Sequence, residues 1–146
     1  MADGRIEAHV SETGESAFAV RIDVSGHVLT GDEPEGVGGG NLGPAPYDLL
    51  LSALGECTAM TVRLYARDKG WPLDHVSVSL THRKGGVEGQ PAWTDNFTKT
   101  VHIHGDALSD EQRARLIEVA GKCPVHRTLM GTPVIATIAG DPRGGR

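Results

Sequence analysis

A chain of 146 residues with ordinary hydrophobic content and few aromatics suits one domain, its core built from Leu, Val and Ile. A formal net charge of -5 speaks against non-specific nucleic-acid binding, which needs a positive patch. The N-terminal MADGRIEAHV lacks the apolar region of a signal peptide, and no apolar run is long enough to span a bilayer. The expectation is therefore a soluble, cytoplasmic protein with no membrane partner.

Strands come first. Arg5–Val10 and Ala17–Val24 alternate imperfectly, the second with Phe18, Val20, Ile22 and Val24 on one side, and ETGES between them fits a hairpin loop. Residues 31–45, GDEPEGVGGGNLGPA, read as a Gly/Pro loop that delivers the chain to a long helix. That helix is expected from Pro46, suited to a first helical turn, to Gly70 before Trp71-Pro72. Leu50, Leu54, Cys57, Met60 or Thr61, and Leu64 form its expected apolar stripe, and Leu49, Leu51, Ala53 and Val62 widen it until most sides should be buried.

HVSVSLTH and FTKTVHIHG alternate as strands, with Val76, Val78 and Leu80 on one face of the first and Val101 and Ile103 marking the second. SDEQRARLIEVAGK reads as a helix with Ser109 as N-cap and Gln112 completing a capping box. KCPVHRTLM suggests a short helix and TPVIATIAG a closing strand. The pattern predicts a single α+β domain: strands over 1–30, loop 31–45, central helix 46–70, strands and helices over 75–138, and a flexible tail over 139–146.

Chemistry concentrates on the two cysteines, Cys57 and Cys123. In a reducing compartment two cysteines are thiols by default, and a disulfide between them would be transient. Cys123 precedes Pro124 and so falls at a helix N-cap, where free N–H groups favour a thiolate. His126 and Arg127 follow within a turn. Cys57 lies mid-helix beside Glu56 with no local activating device, so any activation must come from elsewhere in the fold. From the residues alone Cys57 is readable as a small core side chain or as a nucleophile. Spacing does not say that the two thiols meet.

Other chemistries find little support. Cys57, Cys123, His126, His102 and His104 show no CxxC or HExxH spacing, so no metal site is expected. There is no G-x-S-x-G nucleophile elbow, and GVGGGNLG has neither a P-loop lysine nor a strand-to-helix setting. No bound cofactor is expected.

The stretch DEPEGVGGGNLGPAPYDLLLSALGECTAMTVRLYARDKGWPLDHVSVSLTHRK, followed by KCPVHRTL, resembles the OsmC/Ohr family of small peroxidases. The likeness runs roughly from Gly31 to Thr137. It rests on the Gly-Pro-x-Pro lead into the helix, the position of Cys57 after Pro46, and the later Cys-Pro. The resemblance implies an intertwined homodimer, its long central helices packed in curved antiparallel sheet. It also implies reduction of organic hydroperoxides by two thiols: Cys57 matches the peroxidatic thiol and Cys123 the resolving one. An external dithiol, of lipoyl type among others, would regenerate the pair.

In that family a Glu follows the proline at the helix start, and an Arg comes from the N-terminal strand region. Here Tyr47 holds the Glu position and Asp48 is the nearest carboxylate. Nine helical residues rise about 13 Å, so Asp48 cannot touch Cys57 of its own helix. SGHVLTGDEP carries His27 but no Arg, which leaves Arg21 as the substitute, ahead of Arg5 and Arg63. The chain reads as a divergent branch, with a non-catalytic redox-sensing or small-molecule-binding dimer as the alternative.

Overall fold

The computed structural model describes residues 4–143, so the C-terminal part of the tail expected over 139–146 lies outside the described residues. The chain groups into two compact units, residues 1–49 with 136–146 and residues 50–135.

The first unit holds strands β1 (Ala8–Glu12), β2 (Val20–Val24) and β3 (His27–Gly31), an antiparallel sheet in the order β1-β2-β3. The β2–β3 hairpin pairs Val24 with His27, so its loop is Ser25-Gly26. Both have positive φ, 50° and 80°, as a type I′ turn requires. The first strand lies later than the sequence suggested, because its partners are Val20–Val24. The second starts later because Ser16 and Ala19 belong to the turn: Ser16 Oγ accepts from Ala19 N, and Thr13 N donates to Ala19 O. The β3 strand was not assigned from the sequence.

After β3 the loop folds around Asp32, which is buried with its carboxylate accepting from Ser16 Oγ and from the N–H groups of Glu33, Gly40 and Leu42. Gly39 and Gly43 pass so close to the backbone of Glu33 and Thr30 that a Cβ would lie 2.0 Å from a carbonyl oxygen in each case. Gly39 and Gly43 of GVGGGNLG therefore serve close backbone packing.

Helix α1 (Pro46–Lys69) begins where the proline predicts, and Asp48 accepts from Ala45 N at its start. Its turns from Leu50 onward belong to the second unit with β4 (His75–Lys84), β5 (Asp95–His104), α2 (Asp110–Ala120) and α3 (Pro124–Met130). The two strands pair antiparallel, with Val76 opposite Ile103, Val78 opposite Val101 and Leu80 opposite Lys99. Val62 and Ala66 of α1, Leu116 and Ala120 of α2, Leu73 and Leu108 form the core, with Val76, Val101 and Ile103 packed against it. The capping box of Ser109 and Gln112 is present at the start of α2.

Two expectations are corrected here. The buried stripe of α1 is Leu54, Gly55, Thr58, Val62 and Ala66, while Met60 and Leu64 are 62% and 50% exposed. Within the chain the helix turns toward the sheet a four-residue ladder that shares Leu54 with the expected stripe, and Gly55 lets Leu80 of β4 approach its backbone. TPVIATIAG is not a strand: among the described residues nothing pairs with it, and Val134, Ile135 and Ile138 stand exposed. With a long helix and antiparallel sheets, the fold class is α+β. No helix of the described residues is long and apolar enough to cross a membrane.

Candidate active site around two thiols

The second unit brings the cysteines together. Cys57 comes from the middle of α1 and is half-buried, whereas Cys123 caps α3 and is fully buried. Both are free thiols, and both sulfurs lie at the first turn of α3.

The first turn of α3 serves both sulfurs. Pro124, at the first helical position, has no N–H to offer. The next two amides do: Val125 N–H points to Cys57 Sγ at 3.5 Å, and His126 N–H to Cys123 Sγ at 3.4 Å. These are groups that any helix leaves without intrahelical partners. The donor to Cys57 Sγ thus comes from α3, outside its own helix.

Thr58 and Lys99 complete the cluster, and neither was singled out from the sequence. Thr58 is fully buried, its Oγ1 2.7 Å from Leu54 O and 3.5 Å from Cys123 Sγ. Lys99, half-buried on β5, donates to Thr58 Oγ1 at 3.1 Å and to Ala120 O at 2.7 Å. A sequence signal existed for each. Thr58 falls four residues after Leu54 and four before Val62, and Lys99 alternates in phase with Val101 and Ile103.

The electrostatics follow from these contacts. Burial alone would raise the pKa of Cys123. Hydrogen bonds from Thr58, His126 N–H and Cys57, together with the Lys99 charge, outweigh it, so the thiol ionises below its ordinary range. Lys99 is pushed down by burial and pulled back up by negative charge on Cys123 and Cys57. His126 is held down by burial and by Lys99, which keeps its ring neutral, and its buried Nδ1 has no hydrogen-bond partner.

Of the remaining candidates, Asp48 and Arg21 belong to the first unit and Arg63 to the second. The Asp48 carboxylate accepts the Ala45 N–H at the helix start. Arg21 is exposed and makes a two-pronged ion pair with Asp23 through Nε and a terminal nitrogen, each contact 2.9 Å long. Arg63 donates to the carbonyls of Leu73 and Asp74.

Comparison with known proteins identifies the fold and the family. The chain matches the sequence profile of OsmC-like protein over residues 38–138. No curated protein sequence matches it. Among solved structures it is similar to an OsmC-like protein from Mycoplasma pneumoniae, with 21% identity, TM-score 0.72 and coverage of 88% of this chain and 89% of that one. A Legionella pneumophila organic hydroperoxide resistance protein OsmC aligns at 18% identity and TM-score 0.63, covering 90% and 93% of the two chains. The organic hydroperoxide resistance protein OhrB of Bacillus subtilis aligns at 16% identity and TM-score 0.57, covering 87% and 91%. With the profile spanning most of its length and the fold shared, this chain belongs to the OsmC-like protein family.

Proposed function

We propose that this protein is a thiol peroxidase that reduces organic hydroperoxides, acting as a cytoplasmic homodimer with an external dithiol as reductant. The observation that carries the reading is the convergence of Cys57 and Cys123 on two successive amides of α3, the first residue half-buried and the second fully buried. The organic hydroperoxide resistance proteins among the similar solved structures lend the substrate class.

Cys57 thiolate attacks the terminal peroxide oxygen. The O–O bond breaks, sulfur loses two electrons, and the alkoxide leaves and takes up a proton as the alcohol. Cys123 thiolate then attacks the sulfur of the Cys57 sulfenic acid. An S–S bond forms, the S–O bond breaks, and hydroxide leaves as water after protonation. The dithiol reduces the disulfide and is itself oxidised to a disulfide.

The exposure difference supports this division of labour. A peroxide meets Cys57 first, while Cys123 is shielded until an oxidised sulfur stands beside it. Its depressed pKa suits it to attack near neutral pH.

The test is a single-turnover assay with thiol counting. Reduced protein should consume one equivalent of cumene or tert-butyl hydroperoxide, lose both thiols and yield a Cys57–Cys123 disulfide. Cys57→Ser should abolish consumption. Reduced protein that leaves both hydroperoxides untouched removes the reading. Disulfide formation without sustained turnover under any dithiol would instead favour a redox sensor.

A further inference from the structure

Lys99 breaks the pattern of its strand. It alternates with Phe97, Val101 and Ile103 and lies opposite Leu80, so its stem follows the apolar phase of β5. An ammonium in such a place loses solvation and needs partners to stay charged. It has two. Ala120 ends α2, so its carbonyl lacks an intrahelical donor, and Lys99 satisfies it. The second is the hydroxyl of Thr58.

That hydroxyl has one proton and two lone pairs. Lys99 occupies one lone pair from 3.1 Å, with Leu54 O at 2.7 Å and Cys123 Sγ at 3.5 Å as further neighbours. While Cys123 is a thiol, the Thr58 proton goes to Leu54 O and the S–H is accepted by the second lone pair. Once Cys123 ionises there is no S–H to accept, and the Thr58 O–H turns to the thiolate. Leu54 O loses little, because the helical ladder already supplies it with an N–H. Lys99 stays on the same oxygen throughout and polarises the O–H toward sulfur.

We propose that Lys99 is the cation that stabilises the Cys123 thiolate, acting through the hydroxyl of Thr58. The proposal rests on the two-thiol reading above and deepens it: Lys99 is a positioning residue, and Thr58 is the group that touches the reacting sulfur. It also accounts for a charge on an apolar strand face that packing alone does not require. The titratable groups around Cys123 are Cys57 from α1, Lys99 from β5 and His126 from its own helix. Of these, Lys99 is the cation, since His126 is held neutral.

The test reads thiolate formation directly. In a Cys57→Ser background Cys123 is the single thiol, and its ionisation is followed by thiolate ultraviolet absorbance against pH. Lys99→Met moves the midpoint to higher pH, and Lys99→Arg brings it back. Thr58→Val moves it the same way, while Thr58→Ser leaves it close to the parent. In the two-cysteine protein, Lys99→Met slows disulfide closure roughly three- to tenfold near neutral pH. An unchanged midpoint in Lys99→Met, with circular dichroism and melting matching the parent, overturns the proposal. Should that variant fail to fold, Lys99→Gln carries the same titration. No peroxide enters the titration, so a protein that titrates as stated yet spares hydroperoxides loses the peroxidase reading alone.

Discussion

The backbone N–H of Val125 lies 3.5 Å from the sulfur of Cys57, a residue 68 positions earlier in the chain. Nothing near Cys57 in the sequence supplies a donor to its sulfur. The donor arrives from the first turn of α3, whose next amide serves Cys123. One short turn therefore supports both sulfurs, and its geometry is set by Cys123 as N-cap and Pro124 behind it.

Removing the buried thiol should separate the two chemical steps. Cys123→Ser still permits one oxidation by an organic hydroperoxide, because Cys57 keeps its position on α1 and its Val125 donor. The resulting sulfenic acid has no partner, so excess peroxide drives it to sulfinic acid. Mass spectrometry after peroxide treatment should show a gain of two oxygens on the peptide containing Cys57. In the parent protein the same treatment gives the disulfide.

The lowered pKa of Cys123 also predicts how stability varies with pH. In the unfolded chain the thiol ionises near its ordinary value, while in the folded protein it ionises lower. Between those two values the unfolded state binds more protons, so stability rises with pH there. The contribution is complete above the unfolded pKa and is lost as pH falls through the folded one. Melting temperatures of reduced parent and Cys123→Ser should diverge across that window, the parent gaining on the alkaline side. Parallel curves would show that Cys123 is no lower in the folded state.

His126 gives the matching prediction on the acid side. Its ring is kept neutral by burial and by Lys99, so its folded pKa lies below its unfolded one. Stability from this group is present above the unfolded value, about 6.5, and is lost as pH falls. His126→Phe should melt with a weaker pH dependence between about pH 5 and 7 than the parent. It also removes the buried Nδ1 that lacks a partner.

Much of the architecture was legible because it rests on periodicity and on caps. Pro46 marked the start of α1, Ser109 and Gln112 the start of α2, and Cys123-Pro124 that of α3. Alternation placed β4 and β5. The pairing that defines a sheet was less legible: β3 came into view through its hairpin with β2, and TPVIATIAG, patterned like a strand, found no partner. The site divided in the same way. The thiols announced themselves by residue type, but Thr58 and Lys99 are common residues whose role comes from where packing puts them. Lys99 was disguised by the very alternation that made β5 recognisable, since Phe97, Val101 and Ile103 share its phase. Asp48 and Arg21 stand in, by charge and nearness in the chain, for the Glu and Arg that the family resemblance implies. The structure gives each a local partner, in Ala45 N–H and Asp23.

The loop before α1 depends on one side chain. Asp32 gathers Ser16 Oγ and the amides of Glu33, Gly40 and Leu42 around a buried carboxylate. Burial would raise its pKa, but those donors win and hold it below the usual carboxylate range. Asp32→Ala leaves the amides without acceptors and should lower the melting temperature by at least about 5 °C. Asp32→Asn keeps the shape and one acceptor oxygen, and should fall between the two. The parent should lose this advantage only as acid titrates Asp32 itself, because a depressed carboxylate stabilises above its unfolded pKa.

The exposed side of α1 bears on assembly. Met60 and Leu64, one helical turn apart, are 62% and 50% exposed and line a shallow surface groove with Ala59 and Val76. Arg63 and Arg67 flank it, and neither cysteine lines it. A long helix seldom leaves apolar side chains of this size in water without a partner. The proposed homodimer would cover them with a second copy of the chain, which removes the apolar area from solvent on both sides. Leu64→Glu places a charge where that contact would form and touches none of the buried ladder of Leu54, Thr58, Val62 and Ala66. Light scattering at micromolar concentration should give the mass of a dimer for the parent and of a monomer for Leu64→Glu. Circular dichroism should keep its helical signal in both. A parent protein of monomer mass, or a variant that remains dimeric, would remove this face from the interface.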